Sequence, residues 1–434
     1  MLPAMFDMVC VMSILAAIFE NRNATAEPMK KMVCALLLLL AVPVVSCRQR
    51  GQEFFEESVR RDQWERSTGL ASCGDGGWRP IYFGPERIFG IWPAGPNDVF
   101  AAVVPDGSSQ PAVLHFDGAT WSPIFCDKTA TEIWGTSPKD VWAIGGGIAH
   151  YDGISWTPAA EDITKTLAHA GSVGAARCGG LNGIWGASAS DIFAVGVCGV
   201  ILHYDGAGWS LTQMDPAEHL YRVWGLTGRD VYAIGWCGEG CGPEDGIILH
   251  YDGSGWSTFA AAEQLKALNS GDIADVWGPS AADIYFAGDG IFHYDGKNIT
   301  AMKTPAPIMS RYDRLGGRTL DGQVMRAKGF RPPTQHRIRS IWGTSAANIY
   351  ATGEKAYIFE PPVLLHYGPD GVWREVDSGR LTVELGRVTG TSPKDVYVVG
   401  ATSDNSIILH YDGKPCEKQP SETPGILQRL MFWR

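Results

Sequence analysis

Charged residues are scarce in this chain, and basic residues are scarcer than acidic ones. Only 19% of the 434 residues are charged, and the formal net charge is -11. General nucleic-acid binding requires a basic surface, so this balance argues against that class. A hydrophobic run from Met32 to Val42 is present, but it is too short to span a bilayer.

The signatures of the common enzyme classes are also missing. The chain has no G-x-S-x-G, Walker loop or H-E-x-x-H motif, which are the local marks of serine hydrolases, P-loop enzymes and zinc peptidases. A repeated Ser-x-x-Asp lacks the Gly-x-Thr-Trp that completes a sialidase Asp-box. A glycosidase needs two carboxylates about 5–10 Å apart. Glu132 and Asp275 are the candidates, although nothing in the sequence brings them together.

Glycine and tryptophan are abundant, with 53 and 16 residues. A signature of Trp, five residues and Asp recurs along the chain, preceded by Ile or Val and followed by an alternating apolar run. This pattern predicts a hairpin of two short strands. The occurrences are Trp92/Asp98, Trp134/Asp140, Trp185/Asp191, Trp224/Asp230, Trp277/Asp283, Trp342/Asn348 and Thr389/Asp395.

A second signature follows each of the first. It is a His, then Tyr or Phe, then an Asp-Gly turn, with a second Trp six residues after the His in four units. Asp-Gly between alternating apolar runs is a strong hairpin signal, because both residues tolerate positive φ. The histidines are His115, His150, His203, His250, His293, His366 and His410.

Seven units of four short strands predict an all-β, seven-bladed β-propeller over residues 73–416. The seventh unit stops after its Asp-Gly turn at Gly413, with no fourth strand. The missing strand precedes the first unit, where Asp75-Gly76-Gly77-Trp78 imitates the turn and second Trp of the other blades. We therefore predict that this N-terminal strand completes the last blade and closes the ring. Residues 417–434 form a C-terminal tail.

These units resemble the Trp-Gly-type propeller repeats of secreted and surface lipoproteins of Gram-negative bacteria. The resemblance covers roughly residues 74–413 and rests on the Trp-Gly, Asp-Val-Tyr/Trp-Ala and His-Tyr-Asp-Gly elements. It implies the propeller fold and a cell-envelope address, and it implies no reaction.

The N-terminus is similar to a bacterial lipoprotein signal. A basic segment at 29–31 and the apolar run are followed by Val44-Val45-Ser46-Cys47. The resemblance implies a lipid on Cys47 and, because Arg48 follows, an outer-membrane protein. The alternative is an ordinary secretory signal with a chance cysteine. Residues 1–47 are then a leader, with a true start at Met29, and residues 48–72 are a tether.

Cysteine spacing predicts disulfides, which an exported protein can keep. A metal site is the less favoured interpretation of Cys237 and Cys241, because no second Cys or His pair accompanies them. Cys126 has no predicted partner. The predicted pairs are Cys178–Cys198 across the first hairpin of the third unit, Cys237–Cys241 across a Gly-rich turn and Cys73–Cys416 beside the ring seam.

The repeated His, Asp and Trp residues are expected to be structural, because repetition spreads them around the ring instead of gathering them in one site. We expect no metal and no cofactor. Variation between units is more informative. The two connections that vary in length leave a propeller on one face; the link between units grows from 13 residues after Trp121 to 43 after Ile299. Insertions on one face are typical of a binding surface, and unconstrained loop drift is the alternative.

One position on this face is free to diversify and is predicted to lie at the channel mouth. It lies two residues before each first Trp or its equivalent and reads Gly90, Glu132, Gly183, Arg222, Asp275, Ser340 and Arg387. Tyr221 adjoins it. The insert 301–339 is strongly basic and ends with Arg337 and Arg339. It either forms a binding patch with Arg222 and Arg387 or is a solvated flap.

We therefore expect a monomeric, lipid-anchored binding scaffold for a protein or an anionic polysaccharide, on either side of the outer membrane. The alternatives are a sialidase- or lyase-like enzyme that uses the channel and an assembly factor of an envelope complex.

Overall fold

Seven four-stranded antiparallel sheets form a β-propeller, as the repeats predict. The computed structural model describes residues 77–104, 112–125, 130–160, 180–214, 218–237, 246–267, 273–305, 336–354, 363–376, 383–401 and 405–414. Each blade begins with an inner strand, which contacts the inner strands of both neighbouring blades. Because successive strands run antiparallel, the two variable connections of every blade lie on one face and the two short turns on the other.

The strands of the first four blades follow the predicted units. Blade one contains β2 (Arg87–Gly95), β3 (Asp98–Val104), β4 (Ala112–Phe116) and β5 (Trp121–Phe125). Blade two contains β6 (Ala130–Ser137), β7 (Asp140–Gly145), β8 (Ile148–Tyr151) and β9 (Trp156–Ala159). Blade three contains β10 (Leu181–Ser188), β11 (Asp191–Gly196), β12 (Val200–Tyr204) and β13 (Trp209–Gln213). Blade four contains β14 (Glu218–Thr227), β15 (Asp230–Cys237), β16 (Gly246–Tyr251) and β17 (Trp256–Thr258).

The remaining blades include one short helix, α1 (Ala262–Ala267), between blades four and five. Blade five contains β18 (Ile273–Ser280), β19 (Asp283–Gly288), β20 (Gly290–Tyr294) and β21 (Ile299–Ala301). Blade six contains β22 (Ile338–Ser345), β23 (Asn348–Gly353), β24 (Val363–Tyr367) and β25 (Trp373–Glu375). Blade seven contains β26 (Glu384–Ser392), β27 (Asp395–Ala401), β28 (Ser406–Tyr411) and β1 (Trp78–Gly84).

The N-terminal strand β1 closes the ring, which confirms the prediction. It pairs antiparallel with β28, with Trp78 opposite Tyr411. The Trp78 side chain is buried and packs against the ring of Tyr411 at 5.5 Å between centroids. Arg79 donates to Asp412 across the seam at 2.8 Å. The last blade therefore has no missing outer strand.

The inner strands run further than the sequence indicates. They were expected to end at the first Trp, but they continue for three more residues, as from Trp224 to Thr227. In several blades a hydroxyl at the strand end accepts the backbone N–H two residues later. Lys139 donates to Ser137 Oγ at 3.2 Å and Arg229 to Thr227 Oγ1 at 3.2 Å. This contact closes the turn between the first two strands.

Five of the glycines that follow the first Trp or its equivalent make room for the Trp of the preceding blade. A methyl group built on Gly186 would lie 2.4 Å from the Trp134 ring. The last blade has Thr389 in place of Trp, and the blade after it has Pro93 in place of Gly. The pairs in contact are Trp92–Gly135, Trp134–Gly186, Trp185–Gly225, Trp277–Gly343 and Trp342–Gly390.

The repeated His and Asp residues form one structural unit in each blade. The His Nε2 lies 2.6–2.8 Å from the carboxylate or amide oxygen that begins the second strand. The His ring also stacks on the aromatic side chain of that strand, as His203 does on Phe193 at 4.2 Å. The imidazoles therefore connect the third strand of each blade to the second strand, on the face of the short turns.

Several sequence predictions fall outside the described residues. They concern the leader with Cys47, the tether, the tail and most of the basic insert, together with Cys73, Cys126, Cys178, Cys241 and Cys416. Cys198 is disulfide-bonded, but its predicted partner Cys178 lies outside the described part of the chain. The pairing therefore stays a prediction. Within the described ranges, no helix is long and apolar enough to cross a membrane.

Candidate binding site

Every inner strand carries a β-bulge at the same place, next to the position that the sequence predicts at the channel mouth. In blade four, for example, Leu220 pairs with Gly235 and Arg222 with Ile234, which leaves Tyr221 as the extra residue. A bulge bends the strand and redirects its side chains. The residues at these bulges are Phe89, Thr131, Asn182, Tyr221, Ala274, Arg339 and Gly386.

In three consecutive blades, the side chain of the bulge residue donates a hydrogen bond to the backbone of the next blade. Thr131 Oγ1 donates to the carbonyl of Leu181 at 3.1 Å, and Asn182 Nδ2 donates to that of Leu220 at 3.0 Å. The Tyr221 hydroxyl donates to the carbonyl of Ile273. The bulges therefore have a structural role between blades two and five. The sequence signal for them is weak, because the bulge residues share no side-chain type.

All seven bulge residues line one cavity of about 700 Å³. It opens where the inner strands begin and the second strands end, as the lining by Ile88 and by residues 399–401 shows. This is the face of the variable connections. Phe89 leaves nearly half of its side chain exposed here. The cavity has the size of a small-ligand site.

A buried ion cluster forms the floor of this cavity. Glu132 Oε2 accepts from Arg222 Nη1 at 2.8 Å and also from Arg387 Nη1. Only 2% of the Glu132 side chain is exposed, against 23% and 25% for the two arginines. Burial is the largest single effect at Arg222 and lowers the pKa of its guanidinium, but the attraction of Glu132 and Asp275 together outweighs burial and raises that pKa. Burial and the repulsion of Arg222 lower the pKa of Arg387.

Two glycines allow the arginines to reach Glu132 from two blades away. Gly90 and Gly183 occupy the equivalent position in the blades on either side of Glu132. A methyl group on Gly90 would lie 2.7 Å from Glu132 Oε1, and one on Gly183 would lie 3.1 Å from the Arg222 backbone. A side chain at position 90 would therefore meet the Glu132 carboxylate, and one at position 183 would crowd the backbone of the next inner strand.

Asp275 completes the floor beside Arg222, at 3.9 Å from its Nε. Asp275 Oδ2 accepts from the Ser340 hydroxyl at 2.8 Å and from the Ile341 N–H at 3.2 Å. Ser340 Oγ in turn accepts the N–H of Val388 at 3.2 Å. The structure thus gathers Glu132, Arg222, Asp275 and Arg387 at one site, although the sequence did not place the two acids together.

The arginines at the end of the basic insert lie at the rim and face acidic partners. Arg339 donates from Nε to Glu354 at 3.0 Å and lies 3.6 Å from Glu384. Arg337 is half exposed and lies 3.9 Å from Asp289. Arg339 lines the cavity together with Arg222 and Arg387. The basic patch that the sequence predicts stays a prediction, because residues 306–335 of the insert lie outside the described part of the chain. Among the residues that the structure describes, no group of His, Cys, Asp or Glu is arranged to hold a metal.

Solved β-propellers are similar to this chain. YCF48 bound to a D1 peptide has 12% identity and a TM-score of 0.51, and the match covers 78% of this chain and 97% of that one. Virginiamycin B lyase from Staphylococcus aureus has 11% identity and a TM-score of 0.51, with 77% and 98% covered. The RRP9 WD40 repeats have 9% identity and a TM-score of 0.50, with 80% and 99% covered.

At these identities the likeness shows the shared propeller fold alone. No protein-family model matches the chain, and no curated protein sequence matches it significantly.

Proposed function

We propose that the protein is a non-enzymatic binding scaffold of the cell envelope, which holds its ligand in the cavity above Glu132, Arg222 and Arg387. The observation that carries this proposal is the set of seven bulges, which turn one residue from every blade toward a single cavity. A rigid ring with a diversified pocket is suited to recognition. The ligand class is a protein or an anionic glycan.

The envelope address rests on the N-terminal signal. Lipidation of Cys47 would attach the ring to the outer membrane through residues 48–72. Mass spectrometry of the N-terminal peptide of the mature protein checks this. A free thiol on Cys47, or cleavage elsewhere, would mean that the protein is simply exported.

The arrangement of the two acids supports binding over catalysis. A glycosidase needs one carboxyl group that gives a proton and another that acts as nucleophile or base. Glu132 is engaged by two guanidinium groups, and Asp275 is engaged by a hydroxyl and by backbone N–H groups. Both carboxylates are therefore committed as acceptors. If the protein hydrolysed a fluorogenic glycoside, and Glu132→Gln or Asp275→Asn abolished that turnover, the protein would be an enzyme and this proposal would be wrong.

The fold relatives include both kinds of protein. One was determined with a peptide bound, and another is a lyase. For this reason the decisive experiment measures both whether a ligand binds and which face of the ring it binds.

The test compares two exposed apolar residues on opposite faces. Phe89 at the cavity rim and Val372 in a turn on the other face are each 47% exposed. Immobilised full-length protein is screened against a glycan array and against fractionated envelope proteins. We expect Phe89→Arg to lose ligands that the wild type and Val372→Arg retain, because the long side chain obstructs the cavity. If Phe89→Arg retained the same ligands, they would bind outside the cavity, and the proposal would be wrong.

A further inference from the structure

The guanidinium groups at the cavity floor have unused hydrogen-bonding capacity. Each guanidinium carries five N–H donors. Arg222 and Arg387 each give one hydrogen bond, and both bonds go to the same oxygen of Glu132. Asp275, at 3.9 Å from Arg222 Nε, is too far for another. Among the described residues, most of these donors therefore meet no protein acceptor.

The acceptors of the floor are, in contrast, already occupied. Glu132 Oε1 accepts the N–H of Ile133 at 3.1 Å, and Oε2 accepts both arginines. Asp275 accepts from Ser340 and from two backbone N–H groups. The floor thus offers donors and has few acceptors left. A planar oxyanion matches such a pair of forks, because guanidinium binds carboxylate in a bidentate manner.

Charge selects a singly charged anion. Arg222 and Arg387 balance Glu132 and Asp275, so the floor is formally neutral. A phosphate dianion would add two charges beside the buried Glu132 carboxylate and the partly buried Asp275 carboxylate, whereas a carboxylate adds one. A bound carboxylate would also offset the repulsion between Arg222 and Arg387, which lowers the pKa of Arg387.

The rim suits a sugar ring. Phe89 is nearly half exposed at the rim, and Thr131 and Asn182 line the same cavity; their donors bind carbonyls of the next blade, which leaves their side-chain oxygens as acceptors. An aromatic ring binds the apolar face of a pyranose, and neutral polar groups bind its hydroxyls. We propose that the cavity floor binds the carboxylate of a uronic-acid residue, seated between Arg222 and Arg387. This inference rests on the proposed function and names its ligand class.

The experiment uses full-length protein and calorimetric titration with trimers of glucuronate, galacturonate and mannuronate. Each trimer is paired with its carboxyl-reduced counterpart. At least one acidic trimer should bind, about tenfold or more tighter than its reduced form, as expected for charge-assisted hydrogen bonds. Inorganic phosphate at the same concentration should not compete. Failure of all three acidic trimers, or tighter binding of phosphate, overturns the inference.

Variants locate the carboxylate. Arg222→Gln and Arg387→Gln should each weaken binding about tenfold. Arg222→Lys, which keeps the charge and loses the fork, should also weaken it. Arg374→Gln is the matched control, because that arginine is exposed and pairs with Asp370 on the opposite face. Equal losses in Arg374→Gln would contradict the proposed seat.

Glu132→Gln separates ligand binding from a purely structural role. This change removes the carboxylate that competes for both guanidiniums. The folded protein should be less stable, yet it should bind the acidic trimer more tightly. Weaker binding would show that Glu132 supports the ligand, which overturns the seat.

Phe89→Arg distinguishes failure of this inference from failure of the proposed function. If no acidic trimer binds but Phe89→Arg still abolishes capture of another ligand, the binding scaffold stands and only the uronate assignment fails. If an acidic trimer binds Phe89→Arg and the wild type equally, the cavity itself is wrong.

Discussion

Replacing Gly186 with alanine should destabilise the ring through a single contact between blades two and three. The new Cβ would lie 2.4 Å from one carbon of the Trp134 ring and 2.9 Å from two others. Carbon atoms pack at about 3.5–4.0 Å, so the indole or the strand must move. The indole is held between two blades, and a shift there disturbs both. We expect a loss of about 1–3 kcal/mol in the free energy of unfolding, as for other overpacked cores.

Urea titration followed by tryptophan fluorescence measures this loss as a lower midpoint at an unchanged slope. Gly208→Ala is the matched control, because a Cβ on Gly208 meets no atom within 4 Å. That change should be neutral or slightly stabilising, since alanine restricts the unfolded chain. Gly186→Ala unfolding at the same midpoint as Gly208→Ala would refute the interlock.

A double-mutant cycle then assigns the loss to the tryptophan. In a Trp134→Leu background the smaller side chain leaves room for the new methyl group. Gly186→Ala should therefore cost less there than in the wild type, by about 0.5–3 kcal/mol, the usual range for residues in contact. Equal costs in both backgrounds would mean that the strain lies in the backbone of Gly186.

The other predictions concern the seam, the imidazoles and the ion cluster. Trp78→Ala should lower the free energy of unfolding by about 3–5 kcal/mol, because it empties the closing contact; Trp236→Ala, at an exposed site, should change little by the same urea assay. Burial lowers the pKa of His366, so the unfolded chain binds more protons and stability falls as the pH drops below about 6.5. Asn348→Asp puts a carboxylate where the amide oxygen lies 2.8 Å from the ring; it should raise that pKa in an NMR titration and reduce the acid-side loss. Glu132→Ala leaves two guanidiniums without their anion and should cost about 3 kcal/mol in thermal or urea unfolding.

The fold was predictable because the same turn and strand signals recur in each repeat. Asp-Gly turns, alternating apolar runs and the separated N-terminal Trp78 unit define seven blades and their closure. The position two residues before each Trp or its equivalent was also recognised as one set, and the structure shows contacts within it, between Arg222 and Glu132 and between Ser340 and Asp275. The repeat made this possible, because strand positions assigned in one blade apply to the equivalent residues of the other blades.

The site was less predictable because its contacts cross between blades that are far apart in sequence. Glu132 and Arg387 are 255 residues apart, and no local pattern signals their pairing. The bulges were missed for a different reason. A bulge needs an extra residue and a suitable backbone, and side chains as different as Phe89 and Gly386 occupy it. Their only trace is the constant spacing to the following Trp.

Departures from the repeat occur in complementary pairs, and this is how the ring tolerates a specific site. Thr389 replaces a Trp, and Pro93 replaces the Gly that would have received it. In the same way Gly90 and Gly183, which have no side chain, occupy the equivalent position in the blades that separate Glu132 from Arg387 and Arg222. Each loss in one blade makes room for a group from another. A ring of identical blades would place like charges side by side around the channel, at a high electrostatic cost. Five residue types at the seven equivalent positions instead build a formally neutral, donor-rich floor, and the shared geometry of the blades holds it in place.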